Sequence, residues 1–132
     1  MDGWKTGPEG SPCWLEIPAR GSIDDLKTFY SSLFPSWTFF ADPSGAPVAH
    51  FHDTMGVYGG IVGVPGDLKP SPQELGLGTT VNWAVGDLDK AAAKVIELGG
   101  SKALDKTPVG TIGSFMQFRD PHGNRFALFQ KA

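Results

Sequence analysis

Apolar positions fall into short runs whose period switches between that of a strand and that of a helix. Cys13-Trp14-Leu15-Glu16-Ile17 alternates like a half-buried strand and is stopped by Pro18. Ser22 with Asp25 three residues on has capping-box spacing, Asp replacing the usual Glu, and predicts a helix start near Ile23. Leu26, Phe29, Tyr30 and Leu33 then recur as one apolar stripe of an amphipathic helix, which Pro35 ends. Three apolar runs follow, Trp37 to Phe40, Val48 to Phe51 and Tyr58 to Val64. Asp42-Pro43-Ser44-Gly45 and Asp53-Thr54-Met55-Gly56 separate them as turns.

Residues 66–78 read as a linker, with Pro70, Pro72 and Gly76 and little to bury. The same order of elements then recurs. Thr80 to Val85 predicts a strand, Asp87 an N-cap, and Leu88, Ala92, Val95 and Leu98 a second helical stripe closed by Gly99-Gly100. Further strands are expected around Ala103-Leu104, Phe115 to Phe118 and Arg125 to Phe129. Asp120-Pro121-His122-Gly123-Asn124 forms a hairpin signal between the last two. Superposing Trp14 on Thr80 overlays strand on strand and stripe on stripe, so the chain reads as two tandem βαβββ modules of the α+β class. Residues 1–12 are expected as a mobile lead-in, followed by a single domain over 13–132. Module one spans about 13–65, the linker about 66–78 and module two about 79–130.

Composition narrows the function classes. Of 132 residues, 40% are hydrophobic and 19% charged, which excludes a disordered tail, while 18 Gly and 11 Pro argue against a helical bundle. A net charge of -3 leaves no electrostatic footprint for nucleic acid. The segment from Met1 to Pro8 lacks the apolar core of a secretory signal, and no apolar stretch reaches bilayer length. A single cysteine, Cys13, cannot form an internal disulfide. Its alternation places it out of phase with Trp14 and Glu16, with no base nearby in the sequence, so it is not nominated as a nucleophile. The expectation is a cytoplasmic protein without nucleic-acid or membrane partners.

Several motifs together resemble the vicinal-oxygen-chelate superfamily of glyoxalase I, bleomycin-resistance proteins and extradiol dioxygenases. In the first half these are Trp14-Leu15-Glu16-Ile17-Pro18, Phe29-Tyr30, Leu33-Phe34, Trp37 and Gly59-Gly60-Ile61. In the second they are Val85-Gly86-Asp87-Leu88-Asp89, Leu98-Gly99-Gly100 and Asp120 through Phe126. The resemblance covers roughly 13 to 130 and rests on order and spacing more than on any one motif. It implies curled mixed sheets around a shared cavity, and a homodimer. Alternation then directs Leu15, Ile17, Val81, Trp83, Val85, Phe126 and Leu128 toward helices. Trp14, Glu16, Thr80, Asn82, Ala84, Ala127 and Phe129 turn toward the cavity.

Metal-dependent members carry His or Glu on the first and last strand of each module. The corresponding positions here are Trp14, the stretch Gly60 to Val62, Thr80 and Ala127, and none carries such a ligand. The resemblance therefore points away from glyoxalase I and ring-cleaving chemistry, and no cofactor is expected. A relocated ligand set of His50, His52 and Glu16 is the alternative, because residues two apart on a strand share a face. Against it, His50-Phe51-His52 reads as a sheet surface with Phe51 in the core, and His122 as a turn residue.

Glu16 is the candidate general base, expected to be partly desolvated beside Trp14, with His52 as its helper; a solvated strand carboxylate is the plainer reading. His50 and Asn82 are candidate ligand contacts, Asn82 with Thr80 orienting a carbonyl. Trp14 and Phe129 are candidates for stacking on a planar ligand, or simply fill the cavity. Two functions stand side by side: proton chemistry of isomerase or lyase type on a small aromatic or carbonyl-bearing metabolite, or sequestration of such a ligand without reaction. A metalloenzyme built on the relocated set is the third.

Overall fold

Helix α1 (Ile23–Leu33) begins where Ser22 Oγ accepts the Asp25 N–H at 3.2 Å, and ends before Phe34, whose N–H reaches the Tyr30 carbonyl. Helix α2 (Leu88–Glu97) is capped alike, by Asp87 accepting the Lys90 N–H at 3.0 Å. Gln130 Oε1 also accepts the Leu88 N–H at 2.7 Å, tying this helix end to the last strand. The computed structural model describes residues 8–9, 12–64 and 79–132; the expected linker and most of the expected lead-in lie outside the described residues. No helix among the described residues is long and apolar enough to cross a membrane.

The strands are β1 (Trp14–Ala19), β2 (Thr38–Ala41), β3 (Val48–His52), β4 (Tyr58–Gly63), β5 (Asn82–Ala84), β6 (Ser101–Val109), β7 (Gly113–Arg119) and β8 (Arg125–Lys131). They form two open, mixed sheets of the same topology, ordered β1-β4-β3-β2 and β5-β8-β7-β6. In each, the first strand runs parallel to the fourth and the other pairs are antiparallel. The tandem βαβββ reading holds. The chain divides into two compact units, Met1–Leu68 and Lys69–Ala132.

Two strands differ from expectation. The strand expected from Thr80 to Val85 is regular only over Asn82–Ala84, where its register with β8 runs, so Thr80 precedes it. The strand expected at Ala103-Leu104 extends over nine residues, Ser101–Val109, and carries two register irregularities. It tolerates Pro108 because it is an edge strand, where a missing N–H breaks no ladder on the free side.

Within the first unit, α1 packs on one face of its sheet. Ile17, Leu26, Phe29, Tyr30, Leu33, Phe51 and Ile61 are buried there. Trp37 lies between, stacked on Phe51 at 4.5 Å and on Tyr30 at 5.7 Å. Within the second unit, Leu88 and Val95 of α2 and Phe118, Phe126 and Leu128 of the sheet are buried. Trp83 and Phe118 both lie against Phe126, at 5.1 and 5.6 Å.

Three hairpins use one turn. Asp42, Asp53 and Asp120 each accept backbone N–H groups two and four residues on, and each turn carries a glycine at positive φ three residues on. Asp120 is the most buried of the three, and its second oxygen also accepts the Asn124 side-chain amide at 2.8 Å. Asp120→Ala should lower unfolding free energy by about 2 kcal/mol, because it strands several N–H groups at once. Urea unfolding checks this, and an unchanged midpoint would show that the carboxylate is dispensable.

Candidate functional site

The strand pairing decides which side chains share the face of the first sheet opposite α1. Glu16, Gly60, His50 and Phe40 stand in one row across β1, β4, β3 and β2. Trp14, Tyr58, His52 and Thr38 stand in the next. Gly60 matters for what it lacks. A Cβ there would lie 3.0 Å from Trp14 Cζ2 and 2.9 Å from Val48 Cγ1, so the missing side chain lets the indole lie across the sheet.

The rings on this face touch. His50 stacks on Phe40 at 5.2 Å and 13°, and Trp14 meets His50 edge-on at 5.7 Å and 72°. Tyr58 lies 5.3 Å from His52 and 6.2 Å from Phe40. Trp14, Phe40, His52 and Tyr58 are half-buried and His50 is buried. His52 and Tyr58 open onto a cleft of about 570 Å³, bordered also by Ser36 and Thr38.

The two imidazoles have different partners. His52 Nδ1 lies 3.2 Å from the Asp53 carbonyl, which only accepts, so Nδ1 carries the hydrogen and the neutral ring keeps its lone pair on Nε2. His50 Nε2 lies 2.7 Å from Asp42 Oδ1. The Asp42 carboxyl also accepts from the Ser44 hydroxyl and from the Ser44 and Ala46 N–H groups. The Ser44 hydroxyl, followed by His50, holds its pKa far below the ordinary 3.8.

Glu16 is on the expected face but is exposed, not partly desolvated. The reason is local: β1 is an edge strand, and the residue opposite Glu16 on β4 is Gly60, which has no side chain to cover it. The structure thus brings Trp14, His50 and His52 into one aromatic cluster, with Glu16 in the same row as His50. Thr80, Asn82 and Phe129 belong to the second unit. Asn82 faces Ala127 across the β5–β8 pair and is exposed, Phe129 faces Ala84 and is half-buried, and Thr80 is half-buried ahead of the strand. Sequence reasoning missed Asp42, Phe40 and Tyr58. Asp42 carried only a turn signal, and the two rings looked like strand residues until pairing put them beside the histidines.

The positions at which the resemblance places metal ligands do not fit a resident divalent ion. Trp14, Gly60, Ile61, Val62 and Ala127 offer no donor side chain. Nor does the relocated set converge: no three His, Cys, Asp or Glu side chains among the described residues gather as a metal site.

The two βαβββ units and their sheet order define the fold of the glyoxalase, bleomycin-resistance and dioxygenase proteins, that of the vicinal-oxygen-chelate superfamily. A glyoxalase/bleomycin resistance protein/dioxygenase family enzyme from Burkholderia phytofirmans PsJN is similar with a TM-score of 0.71 at 16% identity, over 93% of this chain and 100% of that one. A glyoxalase/dioxygenase from Nostoc punctiforme is similar at 0.69 and 16%, covering 97% of each chain. Fosfomycin resistance protein FosX from Mesorhizobium loti gives 0.66 and 15%, over 94% of this chain and 93% of that one. No protein-family profile matches the sequence, and no curated protein sequence matches it at significance.

The Asp42 carboxylate gives a signed pH dependence. Its folded pKa is depressed, so its stabilisation is full above the ordinary 3.8 and is lost as pH falls through the lower folded value. Wild type should therefore exceed Asp42→Asn in stability at about pH 7 and lose that advantage in strong acid. Unfolding midpoints of both proteins across the acid range check it; a constant difference would refute it.

Proposed function

We propose that this glyoxalase-like protein binds a small aromatic or carbonyl-bearing metabolite on the open face of its first sheet, without a resident metal, and moves a proton on it as an isomerase or lyase does. The observation that carries the reading is the cluster of half-buried rings Trp14, Phe40, His52 and Tyr58 on the side of the sheet away from α1. Rings partly held in water gain from a planar ligand, which covers them and stacks. His52 is the proton acceptor, since its Nδ1–H is fixed by Asp53 and Nε2 is left with the lone pair. Glu16 supplies a second acceptor, a carboxylate, in the neighbouring row. Within the second unit, Asn82 on β5 and Thr80 ahead of that strand carry groups able to hydrogen-bond a carbonyl, and Phe129 on β8 a ring able to stack.

A panel of small phenols, quinones and cyclic enones, followed by tryptophan quenching and by product analysis, tests this. Trp14→Ala should weaken ligand affinity about tenfold. His52→Gln should cut turnover on the order of a hundredfold while affinity stays within a few-fold. Full turnover in Glu16→Ala would remove Glu16 from the mechanism, and full turnover in His52→Gln would remove the mechanism itself.

Sequestration without reaction is the second reading. It rests on the resemblance of the sequence motifs to the bleomycin-resistance proteins. Tight binding with the ligand recovered unchanged would decide for it. A homodimer and a cytoplasmic location complete the proposal, the first from the resemblance and the second from the lone Cys13. Light scattering in solution should give twice the chain mass; a monomer would refute the dimer.

A further inference from the structure

Asp42 and His50 stand eight residues apart, at the start of the β2–β3 turn and within β3, and their pairing is not needed to close the hairpin, which the backbone N–H groups of Ser44 and Ala46 already do. The pair fixes a tautomer. An ionised carboxylate only accepts, so His50 Nε2 carries the hydrogen and the neutral ring keeps its lone pair on Nδ1. That nitrogen is buried and has no hydrogen-bond partner among the described residues, and the His50 side chain is only 10% exposed. Leaving a buried acceptor unpaired costs its full desolvation penalty, which a purely structural histidine has no reason to bear.

We propose that Asp42 is a positioning residue which holds His50 so that Nδ1 accepts a hydrogen bond from the ligand, and that the ligand is therefore a planar ring or enol bearing a hydroxyl. The inference rests on the aromatic face being the binding site and names the ligand class for it. Phe40 covers one side of the imidazole by stacking, and Trp14 approaches it edge-on. The Trp14 indole lies across Gly60 on the edge strand and gives way to the ligand's ring. The hydroxyl then reaches Nδ1 as the ring stacks.

4-Methylphenol and 4-methylanisole separate the two ideas, because they share the ring and differ in the hydroxyl, which stays protonated at neutral pH. The wild-type protein should bind 4-methylphenol about tenfold more tightly, and His50→Phe, which keeps a ring for Phe40 to stack on, should abolish the difference. Equal affinity in the wild type, or a preference that survives His50→Phe, overturns the inference and leaves the aromatic-face reading standing. Failure of both probes to bind overturns that reading and the inference with it.

The ¹⁵N spectrum of the wild-type histidine rings, taken at alkaline pH, does not depend on any variant folding. His50 should carry its hydrogen on Nε2, and Asp42→Asn should admit the other tautomer, since an amide can donate as well as accept. A wild-type His50 with its hydrogen on Nδ1 overturns the assignment.

Discussion

Phe51 is the residue on which the first sheet turns. Its ring stacks on Trp37 and sits so close to Gly59 that a Cβ there would be 2.5 Å from Phe51 Cζ. Leu15, Gly59, Phe51 and Phe39 form one row across the sheet on the side of α1. Burying a phenylalanine contributes roughly 1.5–3 kcal/mol, and a slip of one residue would forfeit it while driving two imidazoles into the core. The side of His50 and His52 follows from that constraint alone.

Once the sheet is phased, the opposite face has its own consequences. The rows Glu16–Gly60–His50–Phe40 and Trp14–Tyr58–His52–Thr38 collect five aromatic or imidazole rings around a glycine that leaves them room. Each histidine then finds a different oxygen. His52 meets the backbone carbonyl of the next residue, and His50 meets a carboxylate that a turn has already gathered with three other donors. The same Asp turn closes two other hairpins, at Asp53 and Asp120. At Asp42 one oxygen serves the turn while the other reaches back to His50 on β3.

Most of the fold was legible in the chain. The helix starts at Ser22 and Asp87, the stripes Leu26-Phe29-Tyr30-Leu33 and Leu88-Val95, the Asp-and-Gly turns and the repeated element order all depend on neighbours within a few residues. The misjudged strands have the opposite character. β5 is short because only Asn82–Ala84 finds register with β8, and β6 is long because β7 offers a partner as far as Gly113. Of the candidate site, Trp14, His50 and His52 were legible by alternation, whereas the environment of Glu16 was not. Its exposure depends on β1 lying at the sheet edge and on the residue opposite being Gly60.

By itself, then, the sequence determined the local elements, their order, the phase of each strand and the absence of His or Glu at the positions where the resemblance places metal ligands, because those properties are carried by spacing and side-chain chemistry alone. Only the tertiary structure decided that Asp42 holds His50, that Gly60 makes room for Trp14, and that Phe40 and Tyr58 join the histidines. Each of these is a meeting across strands, created by hydrogen-bond register between segments whose sequences carry no mark of one another.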